Sequence, residues 1–247
     1  MPTIAIGDIH GNLAALNDLL GQLAARLDAC DTVVFLGDYI DRGPDSRGCI
    51  DRILEFRSVV PGDVITLLGN HEDWLLRTLQ DPTRHSWILG MEAFPTIASY
   101  SSATAEGLRH AIEELGPRVI TERAPLPYET FVSELPQAHL AFLEGLRLYY
   151  RIEGTVFVHG GLDPIAGPVE EQAREKLLWG ADDFLTTYEG PDLVVYGHWN
   201  NAVVGEDGWP MPRFSKATIG LDTIHHGVLS AVELPGGRIV QSARHDA

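Results

Sequence analysis

Five short apolar runs in this chain each end in a glycine-flanked polar residue of metal-binding type, and that repetition constrains the fold more than any other feature. Residues 3–7 lead into Asp8-Ile9-His10-Gly11, residues 32–36 into Gly37-Asp38-Tyr39-Ile40-Asp41-Arg42-Gly43, and residues 63–68 into Gly69-Asn70-His71-Glu72. Residues 155–158 lead into His159-Gly160-Gly161, and residues 192–196 into Gly197-His198. One Gly-Asp after a strand is ordinary turn chemistry, because Asp accepts hydrogen bonds from its own loop backbone. Five such ends require a shared cause. In an open α/β sheet the carboxyl ends of neighbouring strands face one crevice, so the five segments are expected to converge on one site.

The intervening sequence supports that sheet. Leu13, Leu16, Leu20, Leu23 and Leu27 recur at three- and four-residue steps after the first run, and Ile50, Ile53 and Leu54 do likewise after the second. Strand, helix, strand, helix, strand predicts right-handed parallel crossovers. From about 72 to 146 the pattern is helical, broken at Pro82-Thr83-Arg84, Ser101-Ser102-Ala103-Thr104 and Ala124-Pro125-Leu126-Pro127, with no strand-like run. We read it as a helical insertion over one sheet edge, within a single domain spanning 1–247, because no flexible linker isolates it. Strand-like runs return at 147–153, 155–158, 192–196, 217–220, 228–234 and 238–242, the last two joined by a hairpin turn at Pro235-Gly236-Gly237. The class is α/β, parallel at first and more antiparallel later.

Composition excludes several roles. At 45% hydrophobic and 21% charged residues the chain is globular in character. Its 35 acidic and 18 basic side chains leave a charge of −17, which repels polyanions and argues against nucleic acid as a partner. No apolar run approaches the roughly 20 residues of a membrane helix, and Met1-Pro2-Thr3 enters the first apolar run without a basic leader. No membrane partner and a cytoplasmic location are expected. Cys30 and Cys49 are too few for a disulfide framework or zinc cluster, and both are expected to be buried thiols.

Mixed Asp, His and Asn ligands suit two adjacent divalent ions. Asp8 and His10 leave their strand as alternate residues and can face the same ion. Asp38, with two carboxylate oxygens on the next strand, is the natural bridge between ions about 3.5–4 Å apart. Asn70, His159 and His198 would complete the other shell. These six ligands carry two negative charges against four positive ones, leaving the site positive and suited to a phosphate dianion.

Gly7-Asp8-Ile9-His10-Gly11, Gly37 to Gly43, Gly69 to Glu72, His159 to Gly161 and Gly197-His198, in this order, resemble the phosphoprotein phosphatase family of metallophosphoesterases, and the bacterial and phage serine/threonine phosphatases in size. The resemblance implies a calcineurin-like four-layer α/β/β/α sandwich of two mixed sheets. It implies phosphomonoester hydrolysis by direct in-line attack of a metal-bridging hydroxide, without a phosphoenzyme. By motif, Asp8, His10 and Asp38 would bind one ion, and Asp38, Asn70, His159 and His198 the other. The ions would be manganese, with iron, zinc and cobalt also permitted. His71 would be the general acid, Asp41 would hold its ring, and Arg42 would grip a phosphate oxygen. The implied substrate is a phosphorylated protein or a small phosphomonoester. The alternatives are a nucleotide hydrolase resembling the symmetrical diadenosine-tetraphosphate hydrolases, whose members usually lack an acid at the place of Asp41 and read Asp for Glu72, and a catalytically silent binding protein.

Two departures from the family pattern stand out. Two positions after Leu177-Leu178-Trp179, where bacterial relatives place a second phosphate-gripping arginine, this chain has Ala181, with Arg174 and Arg213 as possible replacements. Leu221-Asp222-Thr223 is followed by Ile224-His225-His226 instead of Gly, and these histidines either line the cleft or form a polar turn. Trp199 and Trp209 flank the last ligand and are candidates for substrate contact or packing. Nothing in the sequence fixes the oligomeric state.

Overall fold

Alternation along the strands decides how the layers stack. The computed structural model describes residues 2–245; Met1, Asp246 and Ala247 lie outside it. The chain opens with β1 (Thr3–Ile6), α1 (Leu13–Ala24), β2 (Thr32–Phe35), α2 (Ser46–Val59) and β3 (Asp63–Thr66). β1 pairs with β2 and β2 with β3, all parallel. Helices then follow without a strand: α3 (Asn70–Gln80), α4 (Ser86–Gly90), α5 (Phe94–Tyr100), α6 (Ser102–Leu115), α7 (Arg118–Thr121), α8 (Tyr128–Glu134) and α9 (Gln137–Glu144).

The second half supplies β4 (Tyr149–Ile152), β5 (Thr155–Val158), α10 (Arg174–Trp179), α11 (Phe184–Thr187) and β6 (Leu193–Tyr196). It continues with β7 (Val203–Val204), β8 (Pro210–Met211), β9 (Arg213–Phe214), β10 (Thr218–Gly220), β11 (Ser230–Leu234) and β12 (Arg238–Gln241). One sheet runs β12-β11-β1-β2-β3, so the C-terminal hairpin pairs antiparallel onto β1. The other runs β4-β5-β6-β10-β9, parallel at its centre and antiparallel at both edges.

Because side chains alternate across a strand, each strand feeds two cores. Ile4, Ile6, Val33 and Phe35 face the helices α1, α2 and α3–α9, while Ala5, Val34 and Leu36 face the other sheet. Phe157 and Val195 meet them from β5 and β6, and Val156, Val158, Val194 and Tyr196 turn outward onto Leu177 and Phe184 of α10 and α11. The result is helix, sheet, sheet, helix. Truncating Phe157, which is fully buried between the sheets, removes a large aromatic from the central layer, a change of about 3–5 kcal/mol.

Some expectations need correction. The segment after His198 contains β7, β8 and β9, which sequence periodicity does not reveal because two-residue strands have no period; β7 pairs with β8, and β9 pairs with the expected strand β10. Of the cysteines only Cys49 is buried; Cys30 is exposed, since it sits in the turn between α1 and β2, past the last core leucine of that segment. Among the described residues no helix is long and apolar enough to cross a membrane.

Candidate metal centre

All five strand ends, and a sixth, meet at one edge of the sandwich. Asp8 and His10 follow β1, Asp38, Asp41 and Arg42 follow β2, and Asn70 and His71 open α3 directly after β3. His159 follows β5, His198 follows β6, and Asp222 follows β10. Asp8, His10, Asp38, Asp41, Asn70, His71, His159 and Asp222 are all buried.

Asp38 stands at the middle. Its Oδ2 lies 3.5 Å from His10 Nε2 and 3.8 Å from His71 Nε2, and its Oδ1 lies 3.4 Å from His159 Nε2. Asn70 Oδ1 lies 2.8 Å from His159 Nε2 and 3.1 Å from His198 Nδ1. Asp8 Oδ2 accepts the backbone N–H of His198 at 2.9 Å. Two sets thus close around Asp38, with ligand-type atoms within 4.8 Å of one another: His10, Asp38 and His71, and Asp38, His159 and His198.

The hydrogen bonds around these atoms require positive charge between them. Nδ1–H of His10 donates to the carbonyl of Ile40 and Nδ1–H of His159 donates to that of Leu36, both at 3.0 Å. In a neutral ring this leaves Nε2 as a lone pair. With the Asn70 amide oxygen toward it, His159 Nε2 faces two further acceptors, Asn70 Oδ1 and Asp38 Oδ1, and a second ring proton or a cation reconciles the three. Burial disfavours that proton, yet the Asp38, Asp8 and Glu72 carboxylates outweigh burial and push His159 up to about 10. Burial and the His159 charge hold His198 down to about 3, keeping its ring an electron-pair donor. Burial and Asp222 raise Asp8 well above the usual carboxylate range, whereas at Asp38 His159, His71 and His10 overcome burial and hold the carboxyl well below it. Among the described residues, Asp8 Oδ1 and Asp222 Oδ1 are buried without a hydrogen-bond partner. Orphaned carboxylate oxygens beside imidazole lone pairs are the donor set that divalent cations take, so the residues fit the two-ion expectation.

The backbone is bent to make this geometry. Among the described residues, five of the eight non-glycine positions with positive φ belong to the site: His10 (45°), Asp38 (53°), Asp41 (71°), Arg42 (67°) and His198 (67°). Each costs of order 1 kcal/mol or more and persists because its surroundings over-determine it. Glycines make room: a Cβ on Gly197 would collide with Asp8 Oδ1, and Gly37, at φ 109°, has the backbone of Gly69 and the ring of His159 against it.

Beside the cluster, His71 Nδ1 lies 2.8 Å from Asp41 Oδ2. Asp41 also accepts Trp87 Nε1–H at 2.9 Å and Thr96 Oγ1–H at 2.6 Å, so a buried carboxylate with three donors fixes the ring. Burial lowers His71, but Asp38 and Asp41 reverse this and raise it. The guanidinium of Arg42 reaches His10 Nε2 at 2.9 Å, His71 Nε2 at 3.5 Å, and His225 Nε2 across the mouth.

Several residues found here were given no role by sequence. Asp222 belongs to the cluster. His225, for which the sequence left the cleft and a polar turn open, faces the cluster with its ring 5.8 Å from that of His10, and residues 224–226 also form the turn. Glu72 accepts four backbone N–H groups, from Asp38, Tyr39, Ile40 and Gly69. Its place in the Gly-Asn-His-Glu motif was the available signal. Neither proposed replacement arginine is free: Arg174 is bonded to Asp73 and Arg213 to the carbonyl of Asn201, while Ala181 is packed in the outer core. Trp199 donates to Gly160 beside His198, but Trp209 donates to Gln241, away from the cluster.

The chain is similar to known proteins. The chain is 28% identical over 218 residues to a symmetrical bis(5'-nucleosyl)-tetraphosphatase of Nitrosomonas europaea, covering 85% of this chain and 64% of that one. It is 33% identical over 105 residues to serine/threonine-protein phosphatase 1 of Salmonella typhimurium, covering 42% of this chain and 45% of that one. A crystal structure of a candidate diadenosine tetraphosphatase superposes over 100% of this chain and 95% of its own with a TM-score of 0.66 at 22% identity, a likeness of fold. The calcineurin-like phosphoesterase model matches residues 1–202, which contain every one of the five strand-end motifs, and the chain belongs to that family.

Proposed function

We propose that the protein hydrolyses phosphomonoesters, with phosphoserine and phosphothreonine side chains as its substrates. The observation carrying this reading is the His71–Asp41 pair turned onto the Asp38 cluster. A serine or threonine alkoxide is a poor leaving group that needs a proton as the P–O bond breaks. With Nδ1–H committed to Asp41, His71 carries a second proton on Nε2 only as the imidazolium, and in that form it can deliver the proton to that oxygen. Asp41 fixes the ring's orientation and, with Asp38, favours its charged form.

In this reading Asp8, His10 and Asp38 hold one divalent ion, and Asp38, Asn70, His159 and His198 the other. When bound, such ions acidify a water and offset the charge of a phosphoryl group. Manganese is the proposed metal, although mixed His/Asp/Asn ligation also takes iron, zinc or cobalt. Arg42 presents its forked N–H donors to the phosphate oxygens. His225, in contact with its guanidinium, is a positioning residue that keeps Arg42 at the mouth where no arginine stands at position 181.

A second reading, hydrolysis of nucleoside polyphosphates, is favoured by the relative aligned over 85% of the chain. Its phosphate leaving groups have less need of a general acid. The test is parallel kinetics with added manganese on p-nitrophenyl phosphate, a phosphoserine peptide and diadenosine tetraphosphate, repeated with a chelator. Chelator-sensitive turnover that favours the peptide supports the first reading. Turnover confined to the dinucleotide selects the second, and none on any of the three refutes both.

A further inference from the structure

The helix α3 begins in the metal centre and ends on a second cavity. His71, Trp74 and Thr78 fall at i, i+3 and i+7 on one helix face, a rise of about 10 Å. The cavity, of about 530 Å³, is lined by Trp74, Arg77, Thr78, Leu89, Arg84 and Arg123 together with neighbouring residues of the insertion. Two ring contacts connect it to the centre: Trp74 to Trp179 at 5.2 Å and Trp179 to His198 at 5.4 Å.

Its charge sets it apart from the rest of the molecule. The chain has 18 basic side chains against 35 acidic ones, yet three arginines and no acidic residue line this cavity. Nearby carboxylates satisfy them only in part. Arg77 Nε lies 2.9 Å from Asp73 Oδ2, and Asp73 also binds Arg174. Arg84 Nε stands 3.8 Å from Asp81 Oδ2, and Arg123 has no ion-pair partner within 4.0 Å among the described residues. The side chains of Arg77 and Arg84 are 44% and 46% exposed, so their remaining N–H donors are accessible. Ser86 adds a hydroxyl, those of Thr78 and Thr83 being donated to the Arg84 carbonyl and Asp81 Oδ1, and Leu89 and Ile120 add an apolar wall. His85 backs the cavity with its ring bound to the carbonyl of Ala124 and near the Tyr128 hydroxyl.

We propose that this cavity is a second anion subsite, which takes a phosphoryl group of the substrate other than the one being hydrolysed. Guanidinium forks match phosphate oxygens in charge and geometry, and a concave mixed wall of this size is typical of small-ligand sites. The proposal rests on reading the centre as a phosphoester hydrolase. It adds that preferred substrates carry two phosphoryl groups about 10 Å apart, the rise from His71 to Thr78 along α3. Such a group can come from a neighbouring phosphorylated residue of the same peptide or from the distal phosphates of a nucleoside polyphosphate.

The test uses Arg84→Ala/Arg123→Ala and, to keep charge and fold, Arg84→Lys/Arg123→Lys. Pyrophosphate is titrated calorimetrically into chelator-treated protein. Wild type should bind it, the alanine variant about tenfold or more weakly, and the lysine variant in between. No binding by wild type, or equal affinity in a correctly folded alanine variant, overturns the subsite. Kinetics then identify the source, as the ratio of kcat/KM for a doubly phosphorylated peptide to that for its singly phosphorylated form, and for diadenosine tetraphosphate relative to p-nitrophenyl phosphate. Whichever ratio falls in the alanine variant assigns the source, and a fall in neither refutes the proposal. Should the wild type turn over none of these substrates, the hydrolase reading falls and calorimetry alone decides the subsite.

Discussion

Glu72→Gln separates the support of the site from its chemistry. Glu72 is completely buried, and its Oε1 accepts the N–H of Tyr39 at 2.8 Å and of Ile40 at 3.3 Å. Its Oε2 accepts the N–H of Asp38 at 3.0 Å and of Gly69 at 3.1 Å. Glutamine keeps the shape but replaces one oxygen by an NH2 group, so two of the four amides then face a donor. A buried orphan donor costs about 1–3 kcal/mol, which makes the loss roughly 2–6 kcal/mol. In a chain of this size each kcal/mol moves Tm by about 2–4 °C, so Tm should fall by about 4 °C at the least. Because the freed amides flank Asp38, metal affinity should also drop by about 10–100-fold, the usual penalty for losing a residue that orients a ligand. Thermal unfolding with chelator and across a manganese titration reads both effects, since the stabilisation by metal grows with the logarithm of its concentration over the dissociation constant. A Glu72→Gln protein with wild-type Tm and an unchanged manganese midpoint would falsify the idea that this carboxylate holds the Asp38 loop.

Asp38→Asn should lower turnover by roughly a thousandfold or more, because it weakens both proposed ion sites at once and several kcal/mol of charge stabilisation are at stake. His71→Asn should cost only about a hundredfold, the lower range for losing a general acid, and equal losses would refute the separation of roles. In His225→Ala we expect KM for p-nitrophenyl phosphate to rise about tenfold with a smaller change in kcat, as Arg42 loses its contact across the mouth; a pure kcat effect would rule out phosphate positioning. Gly197→Ala should destabilise by about 1–3 kcal/mol and reduce bound metal per chain in elemental analysis, because the added methyl meets Asp8 Oδ1. Full metal content in that variant would remove Asp8 from the ligand set.

How much of this was legible in the sequence depends on whether a feature repeats along the chain. The alternation that sends Ile4 and Ile6 to one core and Ala5 to the other is local, and so are the Gly-flanked ends that bring Asp8, Asp38 and His159 together. Asp222 stood in a segment noted for its likeness to the family but drew no role, because the three-residue β10 ends without a histidine or an Asp-Gly signal. Glu72 stood inside a recognised motif, but its role depends on four backbone amides from two different loops, which no side-chain pattern encodes. Arg77, Arg84 and Arg123 sit on separate parts of the insertion and meet only through the packing of its helices. The exposure of Cys30 turns on where α1 stops, a boundary that leucine spacing places only to within a few residues.

A satisfied polar core would explain buried Asp and His residues equally well if every acceptor had a donor, as native interiors nearly always arrange. The surroundings of Asp41 show what that looks like here: His71, Trp87 and Thr96 all donate to its two oxygens. A few ångströms away, Asp8 Oδ1 and Asp222 Oδ1 have no donor, and His159 Nε2 confronts two oxygens. Both environments are built from the same residue types on adjacent strand ends, in loops that bear left-handed strain at Asp38 and Asp41 alike. The fold therefore supplies donors where it uses a carboxylate as a brace and withholds them from Asp8 Oδ1 and Asp222 Oδ1 beside Asp38, which is sound economy only if cations make up the difference. Replacing Asp222 by Asn bears on this contrast, because an amide places one donor among acceptors. If the centre were a satisfied network, that donor would be superfluous and unfavourable; if it is short of positive charge, the metal-free protein gains stability while its affinity for manganese declines.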